Sequence, residues 1–290
     1  MIHDFTYLRP GNVKEALAML AQHRDDAKII CGGQSLLIIM RQGLVVTEYL
    51  VDIKGLDELN YLIYDPRVGL KIGATTTHRT IEKSLLIKEK YPVLVAMEEK
   101  LASIQVRNWG TIGGNLAHAD AAGDPAPVLI ALNATVTIAS SAGGRSVPLE
   151  EFYPGLFETV LSPDELVTEV LVPPPPAHTA TAYQKFNLLE SDQGIVAVAV
   201  SLSVSDAGIC RDARIVLGNA APIPIRAKNA ERLLIGNKLN EEIFAKAGET
   251  AGEEADPVAD IHASEDYRRH LIAVLTRRMT KEAWEQACQV

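Results

Sequence analysis

Four consecutive prolines, Pro173 to Pro176, remove four backbone N–H donors in a row. Neither a helix nor a central strand continues through such a run, which favours an extended polyproline segment. The chain of 290 residues is therefore expected to divide there. The N-terminal part alternates strand-like and helix-like patterns, the signature of a mixed α/β arrangement. Ala27-Lys28-Ile29-Ile30-Cys31 reads as a buried strand broken by Gly32-Gly33, and Ser35 to Met40 resumes as a helix turn. Asn12 precedes helical spacing from Val13 to Ala21. Tyr49–Ile53 and Gly69–Ala74 read as strands, Thr77 caps a helix predicted through Ile81, Leu85 and Ile87, and another helix spans Pro92–Ser103. A second glycine-rich turn is predicted over Val106–Asn115. Ala134–Ala139 is an alternating strand ended by Gly143-Gly144 in a hairpin, and Val167–Val172 is a strand leading into the prolines. Beyond them, Ile195–Val200 and Arg214–Gly218 read as strands, followed by helical patterns that give an α+β tail.

The two glycine pairs are the chemical clue. A diphosphate needs backbone N–H groups unobstructed by Cβ atoms, ideally at a helix start where the dipole also favours an anion. Gly32-Gly33-Gln34-Ser35 meets that need and adds a hydroxyl, while Thr111-Ile112-Gly113-Gly114-Asn115 repeats the logic with a hydroxyl and an amide. Either turn alone is equally a tight connection, and neither is a Rossmann fingerprint or a P-loop. Asp120 and Asp124 follow closely; their spacing suits acid–base work or a divalent ion, or simply capping of backbone N–H groups or a ribose hydroxyl. His78 and His118 lack partners at ligand spacing and read as solvated or structural. Arg107 has two readings, a phosphate contact or a bond to loop carbonyls, and Trp109 has two, stacking on a flavin or adenine or packing under the loop.

Lys plus Arg number 28 against 37 for Asp plus Glu, and no basic run appears, so nucleic acid is not an expected partner. The start lacks a signal-peptide pattern and no apolar stretch approaches a membrane span, which leads to the expectation of a cytoplasmic protein without membrane insertion. Three scattered cysteines, Cys31, Cys210 and Cys288, form neither a disulfide framework nor a metal motif. Metal chemistry is expected from other chains, and no catalytic residue is assigned in this one.

Cys31-Gly32-Gly33-Gln34-Ser35-Leu36-Leu37, together with Gln105-Val106-Arg107-Asn108-Trp109-Gly110-Thr111-Ile112-Gly113-Gly114-Asn115, resembles the FAD-binding medium subunit of the molybdenum hydroxylase family, the xanthine dehydrogenase and carbon monoxide dehydrogenase group. The likeness continues through Asp120 and Asp124, Phe152–Gly155, Asp164–Val167 and Tyr183–Phe186. The resemblance implies an α+β chain: a vanillyl-alcohol-oxidase-type FAD-binding domain over 1–176, in subdomains of about 1–58 and 59–176, and a C-terminal α+β domain over 177–290 like that of carbon monoxide dehydrogenase flavoproteins. It implies that Ile29, Ile30, Cys31, Gly32, Gly33, Gln34, Ser35, Leu36, Thr111, Ile112, Gly113, Gly114 and Asn115 surround the pyrophosphate of a non-covalent FAD. Asp124 would bond the nucleotide, and Leu101, Val167 and Lys185 would border the flavin. Partners implied are a large molybdenum-cofactor subunit and a small [2Fe–2S] subunit, joined as a dimer of heterotrimers, a heterohexamer. Electrons would run from the clusters through FAD to NAD, a quinone or oxygen. The competing reading is a stand-alone FAD-dependent oxidoreductase acting on a small organic substrate.

Overall fold

A computed structural model describes residues 2–189 and 191–289. Strand β1 (Thr6–Leu8) is followed by α1 (Val13–His23), whose first turn is capped by Asn12 through the Glu15 amide and whose buried stripe is Ala16, Leu17 and Leu20. Next come β2 (Ala27–Ile30), α2 (Leu36–Arg41) and β3 (Tyr49–Asp52). The three strands form a parallel sheet in the order β1-β3-β2, and α1 seals a small core with Ala27, Val51, Ile53, Leu56 and Leu59.

The next layer is an antiparallel five-stranded sheet, ordered β4-β5-β8-β6-β7, from β4 (Leu62–Asp65), β5 (Gly69–Gly73), β6 (Thr135–Ser140), β7 (Gly143–Pro148) and β8 (Leu166–Val172). Between β5 and β6 run α3 (His78–Lys83), α4 (Leu85–Lys90), α5 (Pro92–Lys100), α6 (Ile104–Trp109), α7 (Ile112–His118) and α8 (Pro125–Ala131). The single helix predicted from Thr77 through Ile87 is in fact two. Ser84 has an extended backbone that ends α3, and its hydroxyl accepts the Ile87 amide to start α4. Strand β4 and helix α8 have no counterpart among the sequence expectations.

After the prolines, β9 (Thr179–Phe186), β10 (Val196–Val204), β11 (Cys210–Gly218) and β12 (Ile225–Arg226) make an antiparallel sheet ordered β12-β11-β10-β9. Helices α9 (Lys228–Leu234), α10 (Glu241–Glu254) and α11 (Glu265–Ala287) complete the chain. Every residue of β10 is buried. Val196, Val198, Val200 and Leu202 join the core under α10 and α11, while Ala197 and Ala199 join the core of the middle layer, where α5 and α8 lie against this sheet. A strand covered on both faces reads as a continuous apolar run, which is what Ile195–Val200 shows.

Candidate functional site

The chain leaves β2 at Ile30 and enters α2 through Cys31–Ser35. Gly33 has φ +68°, a left-handed conformation that glycine takes without steric cost. Gly32 is required for a different reason: a Cβ there would lie 2.4 Å from the Trp109 carbonyl oxygen and 2.8 Å from the Gly110 Cα. The two glycine segments therefore meet backbone to backbone. Burial pushes the Cys31 thiol up, and the Thr111 hydroxyl opposes the shift. The Gln34 side-chain Nε2 donates to the Gly32 carbonyl at 3.1 Å. Among the described residues no acceptor engages the amides of Gly33, Gln34, Ser35 or Leu36, and Ser35 makes no side-chain capping bond to α2. Open donors at a helix start, all half-buried, are a fitting receptor for a diphosphate.

The second segment is built otherwise. Its glycines do not form a turn but sit inside α7, which Thr111 caps by accepting the Gly114 amide at 3.3 Å. Gly113 sits there because a Cβ would come within 2.6 Å of the Ala74 Cβ, so the helix presses against the end of β5. The first α7 amides already have acceptors: Ile112 donates to Thr76, Gly113 to Ala74 and Asn115 to Thr111, at 3.0, 3.0 and 2.9 Å. Gly114 is exposed, and the one neighbour within 4 Å of a Cβ placed there is the Thr111 hydroxyl at 2.9 Å. Asn115 is half-buried, its side chain free of hydrogen bonds among the described residues. Thus the second segment supplies a wall with a low, polar lip rather than a row of amides.

Behind this wall lies a buried polar layer. The His78 amide donates to the Gly110 carbonyl at 3.0 Å, and its Nδ1 lies 3.0 Å from a Glu98 oxygen. Arg107 takes the second of its two sequence readings: it donates to the carbonyls of Leu101 and Ala102 at 2.7 and 2.9 Å, and to Glu82 at 2.9 Å. Trp109 does not pack under the loop; it is half exposed, with the Lys54 ammonium 3.2 Å from its ring centroid. His78 is structural, not solvated, and His118 is half-buried beside the Phe157 ring. Asp120 and Asp124 do not act together. Asp120 accepts from Ala122 and Gln193, whereas Asp124 accepts from Tyr183 at 2.6 Å and Lys185 at 2.8 Å. These three side chains are buried and join the start of α8 to β9. Burial pushes the Asp124 carboxyl up, against the pull of Lys185 and Tyr183.

The remaining predicted site residues fall into two sets. Ile29, Ile30, Cys31, Gln34, Ser35 and Leu36 line the half-buried first segment. Leu101 and Val167 are buried within the core of the middle layer, 5% exposed each. Sequence reasoning missed Glu82, Glu98 and Tyr183. Each bonds a partner 20 or more positions away that only the fold supplies, and Glu82 also accepts from Arg79 three positions before it. A cleft of about 520 Å³ between α5, β9 and α11 includes Lys100, Tyr183 and Glu282, but no residue of either glycine segment lines it. Among the described residues no group of three His, Cys, Asp or Glu is arranged to hold a metal ion.

Residues 3–175 match the family described as the FAD binding domain in molybdopterin dehydrogenase, and residues 181–283 match the CO dehydrogenase flavoprotein C-terminal domain. The chain is 36% identical to the 6-hydroxypseudooxynicotine dehydrogenase complex subunit alpha of Paenarthrobacter nicotinovorans, covering 98% of this chain and 96% of that protein. It is 34% identical to the glyceraldehyde dehydrogenase medium chain of Sulfolobus acidocaldarius, over 96% and 98% of the two. The fold superposes on carbon monoxide dehydrogenase from Hydrogenophaga pseudoflava with a TM-score of 0.95, at 32% identity and over 99% of both chains. With both domain families matched in order and the paired glycine segments in contact, the chain belongs to the molybdenum hydroxylase family as an FAD-binding, medium-type oxidoreductase subunit.

Proposed function

We propose that this chain holds one non-covalent FAD between its glycine segments and relays electrons within a multi-subunit molybdenum enzyme. The observation that carries the reading is the contact of Gly32 with Trp109 and Gly110, which turns two weak motifs into one continuous trough. Open amides from Gly33 to Leu36 and the Ser35 hydroxyl would take the pyrophosphate, with Thr111 to Asn115 as the facing wall. Gly114 lets a ligand approach α7 closely, and the Asn115 amide offers it both a donor and an acceptor. Asp124 and Lys185, already bonded to each other, would fix the cleft edge where nucleotide and flavin meet the C-terminal domain. Leu101 and Val167 would supply the apolar border that excludes water from the ring. When bound, FAD supplies the redox chemistry, and the protein supplies binding, orientation and electrostatics. On this reading the FAD-binding domain ends near residue 176, with an internal division near residue 58.

The partner subunits would be a large one carrying the molybdenum cofactor and a small one carrying [2Fe–2S] clusters, assembled as a dimer of heterotrimers. Electrons would leave to NAD, a quinone or oxygen. Support comes from relatives that are named as subunits or medium chains of larger enzymes. Those names refer to substrates as different as a nicotine derivative and glyceraldehyde, consistent with substrate selection in another chain.

Purified full-length chain is expected to contain about one FAD, released into the supernatant on acid precipitation; a yellow precipitate would overturn the non-covalent assignment. Gly114→Val is expected to weaken FAD binding in a folded protein, because its side chain would fill the space above α7. Anaerobic exposure to carbon monoxide, a purine, an N-heterocycle or an aldehyde should bleach the flavin only in the presence of the molybdenum and iron–sulfur subunits. Rapid bleaching of the isolated chain would instead establish a stand-alone oxidoreductase.

A further inference from the structure

Four observations converge on a pair of side chains behind the second glycine segment. The His78 amide anchors the Gly110 carbonyl, and Thr77 bridges Thr111 in antiparallel pairing, so the segment hangs on the start of α3. The His78 ring packs against Gly110, its Cδ2 3.1 Å from the place a Cβ would take there. His78 and Glu98 are 2% and 0% exposed. Finally, the second Glu98 oxygen has no hydrogen-bond partner, which is costly for a buried carboxyl, above all an ionised one.

We propose that His78 and Glu98 are a proton-exchanging pair that positions the Gly110–Thr111 edge and, through its charge, sets how tightly the cofactor diphosphate is held. This rests on the FAD trough assigned above. Among the described residues the charged and titratable groups facing the pair are Arg107 from α6, Asp124 at the start of α8 and Tyr183 from β9; Glu82 of α3 reaches it through Arg107, and Lys185 of β9 through Asp124. Arg107 bonds Glu82 and two carbonyls, and Lys185 bonds Asp124, so among the described residues neither cation is hydrogen-bonded to Glu98. Burial holds the Glu98 carboxyl above the usual carboxylate range, with His78 opposing. The sign follows from the chemistry. As pH rises, loss of the proton that burial favours on the Glu98 carboxyl makes the charge behind the segment more negative, and a diphosphate in front of it is repelled. His78 touches the Gly110 backbone and Glu98 acts through His78, neither of them at the reacting atoms, so both are positioning residues.

The test is titration of the apoprotein with FAD, followed by flavin fluorescence, from pH ~5 to ~9, a span that starts near the ordinary carboxylate range and runs well above it. Wild type is expected to lose affinity by about tenfold across it, the factor of about one pKa unit of coupling. Glu98→Gln should flatten that dependence while still binding FAD. His78→Asn, whose amide nitrogen replaces Nδ1, should keep binding within about threefold but lose the pH step, whereas His78→Leu should bind more weakly at every pH. A purely structural role would shift the affinity by a constant factor. A folded Glu98→Gln protein whose affinity parallels wild type at every pH would overturn the proposal. Gly114→Val separates the two readings: normal FAD binding by this variant removes the trough itself, while loss of binding there with unaltered Glu98→Gln behaviour removes only the pair.

Discussion

The two glycine segments look alike in sequence and are opposites in structure. The first ends a strand, takes a left-handed glycine at Gly33 and leaves successive amides open. The second is closed in on itself, with its amides bonded, its glycines inside α7, and Arg107, Glu82, His78 and Glu98 packed behind it. One offers donors and the other offers shape. A Gly-Gly pair therefore marks close approach of something to the backbone, but whether that something is a ligand or another piece of the chain is decided by where the amides point.

Substitutions that separate these roles can break or sharpen the contrast. The largest effect is expected for Gly32→Val, where a side chain would have to occupy the space of the Trp109 carbonyl. Forcing the segments apart should cost about 3 kcal/mol or more of stability and abolish FAD retention; a well-folded, yellow protein by thermal melting and absorbance would show that the segments need not touch. Next comes Glu82→Gln, which weakens the support of the second segment alone. Burial opposes ionisation of Glu82, but Arg79 and Arg107 outweigh it and hold the carboxyl below its usual range. A lowered carboxyl stabilises the fold above the unfolded-state value near 4.5 and loses that contribution as pH falls through the folded-state value. Denaturant melts should thus show a loss of about 2 kcal/mol at neutral pH. The gap to wild type should narrow as the pH falls below the unfolded-state value and through the lowered folded-state one, and a gap independent of pH would deny the ionic role. The smallest effects form a matched pair. Thr111→Val removes a helix cap and should cost about 1 kcal/mol of stability. Ser35→Ala removes a hydroxyl that caps nothing, so stability should stay within about 0.5 kcal/mol while FAD binding weakens several-fold. Equal stability losses in the two variants would erase the distinction between scaffold and receptor.

The first segment was legible because its signals are local: a β-branched run, two glycines and a serine before an apolar helix. The second was only half legible. Gly113 and Gly114 count against a helix in any propensity scale, yet Gly113 stands in α7 because Ala74 leaves no room for a Cβ. That constraint lies 39 positions away in the chain and has no local trace. The split at Ser84 was within reach, since Ser84 precedes Leu85 as Thr77 precedes His78, and continuous apolar spacing masked it. Strand β4 escaped notice because four residues, Leu62 to Asp65, carry little periodicity before a Pro-Arg-Val-Gly turn. Asp124 was singled out from its place near the glycines, but its partners Tyr183 and Lys185 come from the far side of the proline run.

Strand β10 carries a consequence for the way such chains can be recombined. Ala197 and Ala199 are part of the wall of the middle layer, and Gly218 on the neighbouring strand stands where a Cβ would come within 2.7 Å of Pro127. The proline run marks a joint in the backbone but not in the hydrophobic interior. A chimera cut at Pro176 and given the C-terminal half of a relative would bring together two surfaces shaped for other mates. Its success would depend on keeping small side chains at 197, 199 and 218 opposite the α8 of the recipient, so the natural unit of exchange between relatives is the whole chain.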